Sequence, residues 1–194
     1  MGKILESLQN TVIAGIVLAL LIIGAQSSWF SQFEFDAAFY ARYLHVLSGV
    51  MWIGLLWYFN FVQMPTMPSI PDELKPAVGK HIAPAVLFYF RWGAMATLFT
   101  GLWLAMINGY LVQALTLAEG SMLIGLGMWM AIVMWFNVWF IIWPNQKIAL
   151  GIIEAEADAK PAAARKAMLF SRTNTLLSIP MLLCMVGQQN GLAF

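Results

Sequence analysis

Residues 42–63 read RYLHVLSGVMWIGLLWYFNFVQ. After Arg42 this stretch has no Asp, Glu, Lys or Arg, and its length suits the roughly 20 apolar residues that a helix needs to cross a bilayer. The whole chain has the same character, since 61% of its 194 residues are hydrophobic and only 10% are charged, with a mean hydropathy of +0.78. A soluble domain is typically about 25% charged. The composition therefore predicts an integral membrane protein built from helices.

The sequence contains five apolar stretches that are long enough to cross a membrane. We predict that they form a single all-α transmembrane bundle over residues 1–194. The spans are residues 11–30, 37–63, 83–109, 120–143 and 167–188. The proline-rich segment 64–82 is predicted to be an irregular loop. The alanine-rich part of segment 144–166 is predicted to be a surface helix that is interrupted or restarted at Pro161.

Basic residues are distributed very unequally between the two sides of these spans. Seven lie on the side that holds the N-terminus and the segments 64–82 and 144–166, whereas the other side has only Arg42. Because loops rich in Lys and Arg stay in the cytoplasm, we predict a cytoplasmic N-terminus and a periplasmic C-terminus in a bacterial inner membrane. The net charge of +1 gives no sign of a nucleic-acid-binding surface.

His45 is the most informative polar residue, because polar side chains inside a span are costly and tend to mark function. Gly49, one turn later, leaves room for a planar macrocycle or another helix. We interpret His45 as the ligand of a haem iron; the alternative is a neutral histidine hydrogen-bonded to a neighbouring helix. His81 is predicted to lie roughly 27 Å away in depth, so one iron cannot bind both. Met128 and Met181 fall near the depth of His45, although methionine more often packs than ligates.

A second group of polar residues lies toward the predicted cytoplasmic leaflet. It comprises Asn60, Arg91, Asn137, Arg172 and Asn174, drawn from four spans. No span contains an acidic residue to pair with the arginines, so their charge needs backbone carbonyls, lipid phosphates, a bound anion or haem propionates. We interpret the group as cofactor-binding, with the propionates of a haem b directed inward. A pocket for a quinone or small anion, and snorkelling to lipid phosphate, are the alternatives.

Four blocks of sequence carry a family resemblance. They are HVLSGVMWIGLLWYFNFVQ at 45–63, FYFRWGAMATLFTGL at 88–102, FNVWFIIWPNQK at 136–147 and SRTNTLLSIPML at 171–182. Together they resemble the membrane domain of the bacterial membrane-bound urate oxidase family, which is typically fused to a C-terminal cytochrome c. The resemblance implies that electrons pass from a substrate to cytochrome c on the outer face. The chain contains no C-x-x-C-H sequence, so we expect no c-type haem of its own.

These observations lead to one functional hypothesis and two alternatives. The hypothesis is a haem b membrane electron-transfer protein, or a subunit of a membrane redox complex, that works with a separate cytochrome c or a quinone-linked partner. The first alternative is a non-catalytic structural membrane subunit that binds lipid. The second is a stand-alone oxidoreductase acting on urate or a related purine, although the residue spacing reveals no catalytic base or nucleophile.

Overall fold

The computed structural model describes residues 2–27, 36–156 and 158–191, which are helical apart from short connections. The chain divides into two compact units, Met1–Asp36 and Ala37–Phe194. The first contains α1 (Gly2–Leu5) and α2 (Leu8–Ser27). The second contains α3 (Ala37–Ser69), α4 (Lys75–Ile107), α5 (Leu111–Leu115), α6 (Met122–Ala149) and α7 (Ala159–Gln189).

Four helices of the second unit are long and apolar enough to cross a membrane: α3, α4, α6 and α7. They coincide with the last four predicted spans and confirm the predicted all-helical fold. The first predicted span, residues 11–30, overlaps α2. This helix is apolar, but its part with described side chains, Leu8–Gly24, is shorter than the four long helices. Residues 28–30 of that span lie outside the described residues. The described chain therefore contains four candidate spans, and a fifth formed by α2 stays a prediction.

The prediction of an irregular loop at 64–82 is wrong for most of that segment. Helix α3 continues to Ser69 and α4 begins at Lys75, so only residues 70–74 connect them. Prolines suggested a loop because a proline lacks the backbone N–H, and its ring collides with the carbonyl four residues earlier. Three of the long helices accommodate this collision with a wider π-helical turn that ends two residues before a proline. The turns are Tyr58–Gln63 before Pro65, Val78–Ile82 before Pro84 and Asn137–Ile142 before Pro144.

The predicted surface helix in segment 144–166 is correct only for its last part. Helix α6 extends to Ala149, the chain then leaves helical geometry, and α7 begins at Ala159. Pro161 lies in the first turn of α7, where the missing N–H costs no intrahelical hydrogen bond. The helix therefore restarts just before this proline and runs without a break into the last span.

The core joins α3, α4, α6 and α7. Its largest fully buried apolar side chains are Trp52, Leu56, Phe90, Met134 and Val138. Helices α3 and α4 approach closely, since a Cβ placed on Gly93 would lie 3.3 Å from the backbone nitrogen of Trp52. Small residues permit such approaches between membrane helices. The crossing brings the face of α3 that carries His45 against α4.

Candidate functional site

A cavity of about 540 Å³ is lined by all four long helices of the second unit. Its volume falls within the roughly 300–1,000 Å³ of typical small-molecule pockets. The lining is almost entirely apolar. Apart from two tryptophans, its polar residues are Arg42, His45, Thr97, Tyr110, Gln189 and Asn190. The cavity therefore suits a largely apolar occupant with a few polar contacts.

His45 lies half-buried on the α3 wall of this cavity, and α4 holds its ring in place. Nδ1 lies 3.0 Å from the carbonyl oxygen of Thr97 and 3.3 Å from Oγ1 of Thr100. Because a carbonyl can only accept, we assign the proton of the neutral imidazole to Nδ1, which leaves the lone pair on Nε2. Metal-binding histidines in proteins are commonly oriented by such a second bond from the ring to a backbone carbonyl.

Gly101 provides the space in which the imidazole lies. A Cβ at this position would lie 2.8 Å from Cε1 and 3.1 Å from Nδ1 of His45. Gly93, Thr97 and Gly101 recur every four residues, so they form a row on one face of α4. This row admits both the backbone of α3 and the His45 ring.

The three asparagines predicted to bind a cofactor join helices to one another through hydrogen bonds. Asn174 is fully buried; it donates to the carbonyl oxygen of Met134 at 2.9 Å and accepts from Nδ2 of Asn137 at 2.8 Å. Asn60 donates to Oγ of Ser171 at 2.8 Å. Hydrogen bonds of this kind commonly connect the helices of membrane bundles.

The two predicted arginines have different surroundings. The guanidinium carbon of Arg91 lies 3.3 Å from the centroid of the Trp143 ring, a cation–π contact. Nε and Nη1 of Arg91 are buried and have no hydrogen-bond partner among the described residues. Arg172 is exposed on α7. Neither arginine lines the cavity, and neither do the three asparagines, so the predicted second group and His45 lie in separate places.

His81 is exposed in the π-helical turn of α4 and does not line the cavity either. Within residues 2–27, 36–156 and 158–191, no three or more His, Cys, Asp or Glu side chains come together to hold a metal ion. A haem iron can be held by a single proximal histidine, because the macrocycle supplies its equatorial ligands.

The sequence analysis missed several residues that complete the cavity. Arg42 precedes His45 by three residues, and this helical spacing was a signal that both side chains share one face of α3. Tyr110, in the connection between α4 and α5, gave no comparable signal. Met128 and Met181, which the depth estimate placed near His45, both line the cavity.

These features are those of an all-helical protein with four candidate membrane spans and an apolar cavity of ligand size that is lined partly by exposed side chains. Residues 114–194 match the family model described as urate oxidase N-terminal. The match confirms, over these residues, the predicted resemblance to the membrane domain of the urate oxidase family. It includes α6 and α7 but not His45 or Arg42. No curated protein and no solved structure matches the chain.

Proposed function

We propose that this protein is a haem b membrane electron-transfer protein with a urate oxidase-like membrane domain, acting alone or as a subunit of a redox complex. One observation carries the proposal. The bond between His45 Nδ1 and the Thr97 carbonyl oxygen leaves Nε2 available beside a cavity of about 540 Å³. The cavity also contains Trp52, whose buried Nε1 has no hydrogen-bond partner among the described residues. The residues present thus fit a flat, largely apolar cofactor held by one imidazole.

Each part of the cavity has a role in this proposal. Haem b, when bound, supplies a one-electron redox centre. His45 would hold the iron through Nε2, while Thr97 fixes the orientation of the ring. The apolar walls would exclude water and lower the local dielectric constant, which together with the axial ligand tunes a haem potential. Met128 and Met181 bring polarizable thioethers to the lining.

The partners follow from the electron-transfer role. We propose a separate cytochrome c or a quinone as the redox partner, and the family resemblance supports cytochrome c. In this proposal exposed Arg172 binds lipid phosphate, and the exposed apolar faces of the helices contact lipid or other membrane subunits. A stand-alone oxidoreductase acting on urate or a related purine is a second candidate, which the family match to residues 114–194 favours.

A visible spectrum tests the proposed function. We expect protein purified from haem-replete cells to show a Soret band and, after reduction, an α-band typical of haem b, with stoichiometric haem by pyridine haemochrome assay. The same preparation from haem-limited cells provides the control for adventitious colour. A folded protein that stays colourless after haem-replete expression would contradict the proposal and favour the lipid-binding structural subunit.

We also propose an orientation in the bacterial inner membrane. The connections 70–74 and 150–158 are flanked by Lys75, Lys80, Lys147 and Lys160, whereas the connection 108–121 contains no basic residue. Positive charge is retained in the cytoplasm, so the first two connections would be cytoplasmic and the third periplasmic. With α2 as a fifth span, the N-terminus is cytoplasmic and the C-terminus periplasmic.

Reporter fusions test this orientation. Alkaline phosphatase fused after Phe194 is expected to be active, because it reaches the periplasm, whereas the same enzyme inserted near Lys160 should be inactive. Green fluorescent protein at the same two positions provides the reciprocal control. Both insertions reporting the same side would show that the order of spans is wrong.

A further inference from the structure

The cavity has one polar end and one apolar end. Arg42 lies near the start of α3, Tyr110 follows α4, and Gln189 and Asn190 lie at the end of α7. Because consecutive long helices run in opposite directions, these positions belong to the same end of the bundle. The opposite part of the lining is apolar and includes Ile53. An occupant that matches this gradient has an apolar body and a polar head directed toward Arg42.

Arg42 supplies positive charge at the polar end. No ion pair joins it to an acidic side chain in the part of the chain that the structure describes. Arg42 also interacts electrostatically with the lining residue Tyr110. Burial raises the pKa of the Tyr110 phenol, whereas the positive charge of Arg42 lowers it by a smaller amount. A guanidinium forms its strongest hydrogen bonds with carboxylates and phosphates, often through two donors at once. An anionic head group would therefore be bound here.

We infer that Arg42 binds the carboxylates of the cavity's occupant, with the Tyr110 hydroxyl and the Gln189 and Asn190 amides completing the polar end. The inference rests on the proposed function, under which these carboxylates are the haem propionates. This assignment differs from the sequence-based prediction, in which the propionates point toward the cytoplasmic leaflet and contact Arg91. Arg91 is not on the lining, and its guanidinium already stacks on Trp143.

The position of Arg42 relative to His45 suits this arrangement. Three residues of helix correspond to a rise of about 4.5 Å, so Arg42 lies nearer the end of the bundle than His45. An occupant held by Nε2 of His45 can then extend its polar edge toward the membrane surface, where charged groups are least costly. The carboxylates would avoid burial among the apolar residues that line the deeper part of the cavity.

Haem and haem dimethyl ester test the inference directly, since the ester has the same macrocycle without the negative charges. Protein produced under haem limitation is titrated with each compound. The wild type is expected to bind haem at least about tenfold more tightly than the ester, as a charge-assisted pair predicts. Arg42→Leu is expected to bring this ratio close to one by weakening haem binding while leaving ester binding unchanged. Arg42→Lys should retain part of the preference, which separates charge from packing.

Two further variants sharpen the result. Arg165→Leu, at an exposed position on α7 outside the lining, is the matched control and should keep the wild-type ratio. If Arg42→Leu kept the wild-type preference for haem over the ester, the inference would be overturned. If Arg91→Leu lost that preference instead, the propionates would point toward Arg91, as the sequence predicted. Both of these results leave haem bound to the wild type. Failure of the wild type to bind either compound would overturn the proposed function as well.

Discussion

His45→Ala is expected to purify with more than about tenfold less haem than the wild type, or with a shifted high-spin spectrum. The substitution removes a lining imidazole, the proposed iron ligand, and leaves an apolar slot that holds a macrocycle only by packing. Pyridine haemochrome content per folded protein measures the loss. His81→Ala is the matched control, and its spectrum should be nearly unchanged because that exposed side chain does not line the cavity.

The pattern across these two variants separates the alternatives. Full haem content in His45→Ala would mean that His45 does not bind the iron and only forms its hydrogen bond with Thr97. Loss in His81→Ala with retention in His45→Ala would contradict the ligand assignment. Loss in both variants would indicate two haems, one near each membrane face.

Gly101→Ala is expected to lower haem affinity by about 10- to 100-fold, the range found when groups that orient a metal ligand are lost. The new Cβ would lie 2.8 Å from Cε1 of His45, so the ring must turn away and give up its bond to the Thr97 carbonyl. The imidazole is the end of a movable side chain, and the helices need not separate. We therefore expect thermal unfolding to change little while haem titration shows the loss.

Gly79→Ala provides the control on the same helix. Its added Cβ would meet only a methyl group of Leu150 at 3.7 Å, an ordinary van der Waals distance. It should retain wild-type haem affinity and stability. If Gly101→Ala also bound haem normally, the orientation of His45 by α4 would not matter for the site.

Hydropathy located the long helices but not their ends. Helices α3 and α4 each contain 33 residues, which corresponds to about 50 Å against a hydrocarbon core of roughly 30 Å. The residues of α3 and α4 that extend beyond the hydrocarbon core are polar or proline-rich, so the sequence predicted loops there. Hydropathy indicates which residues contact lipid, but it does not indicate which residues are helical. The π-helical turns before Pro65, Pro84 and Pro144 have no signature in a single sequence that distinguishes them from helix ends.

The candidate site was predictable in part. His45 could be recognised because a histidine within an apolar span is rare and costly. Depth along a helix, however, does not give the direction in which a side chain points. Depth alone therefore placed Arg91 within reach of the propionates of a haem on His45, whereas Arg91 stacks on Trp143 and does not line the cavity. The spacing from Arg42 to His45 contained the missing directional information, since residues three apart share a helix face.

Pulsed EPR of the oxidised protein tests whether His45 binds a haem iron. The sequence contains two histidines, so in a His81→Ala background His45 is the only one. Protein from a histidine auxotroph supplied with histidine carrying the heavy nitrogen isotope is compared with unlabelled protein. We expect hyperfine coupling from an iron-bound imidazole nitrogen that changes with the label. A haem signal without any label-dependent nitrogen coupling would contradict the assignment of His45 as the ligand.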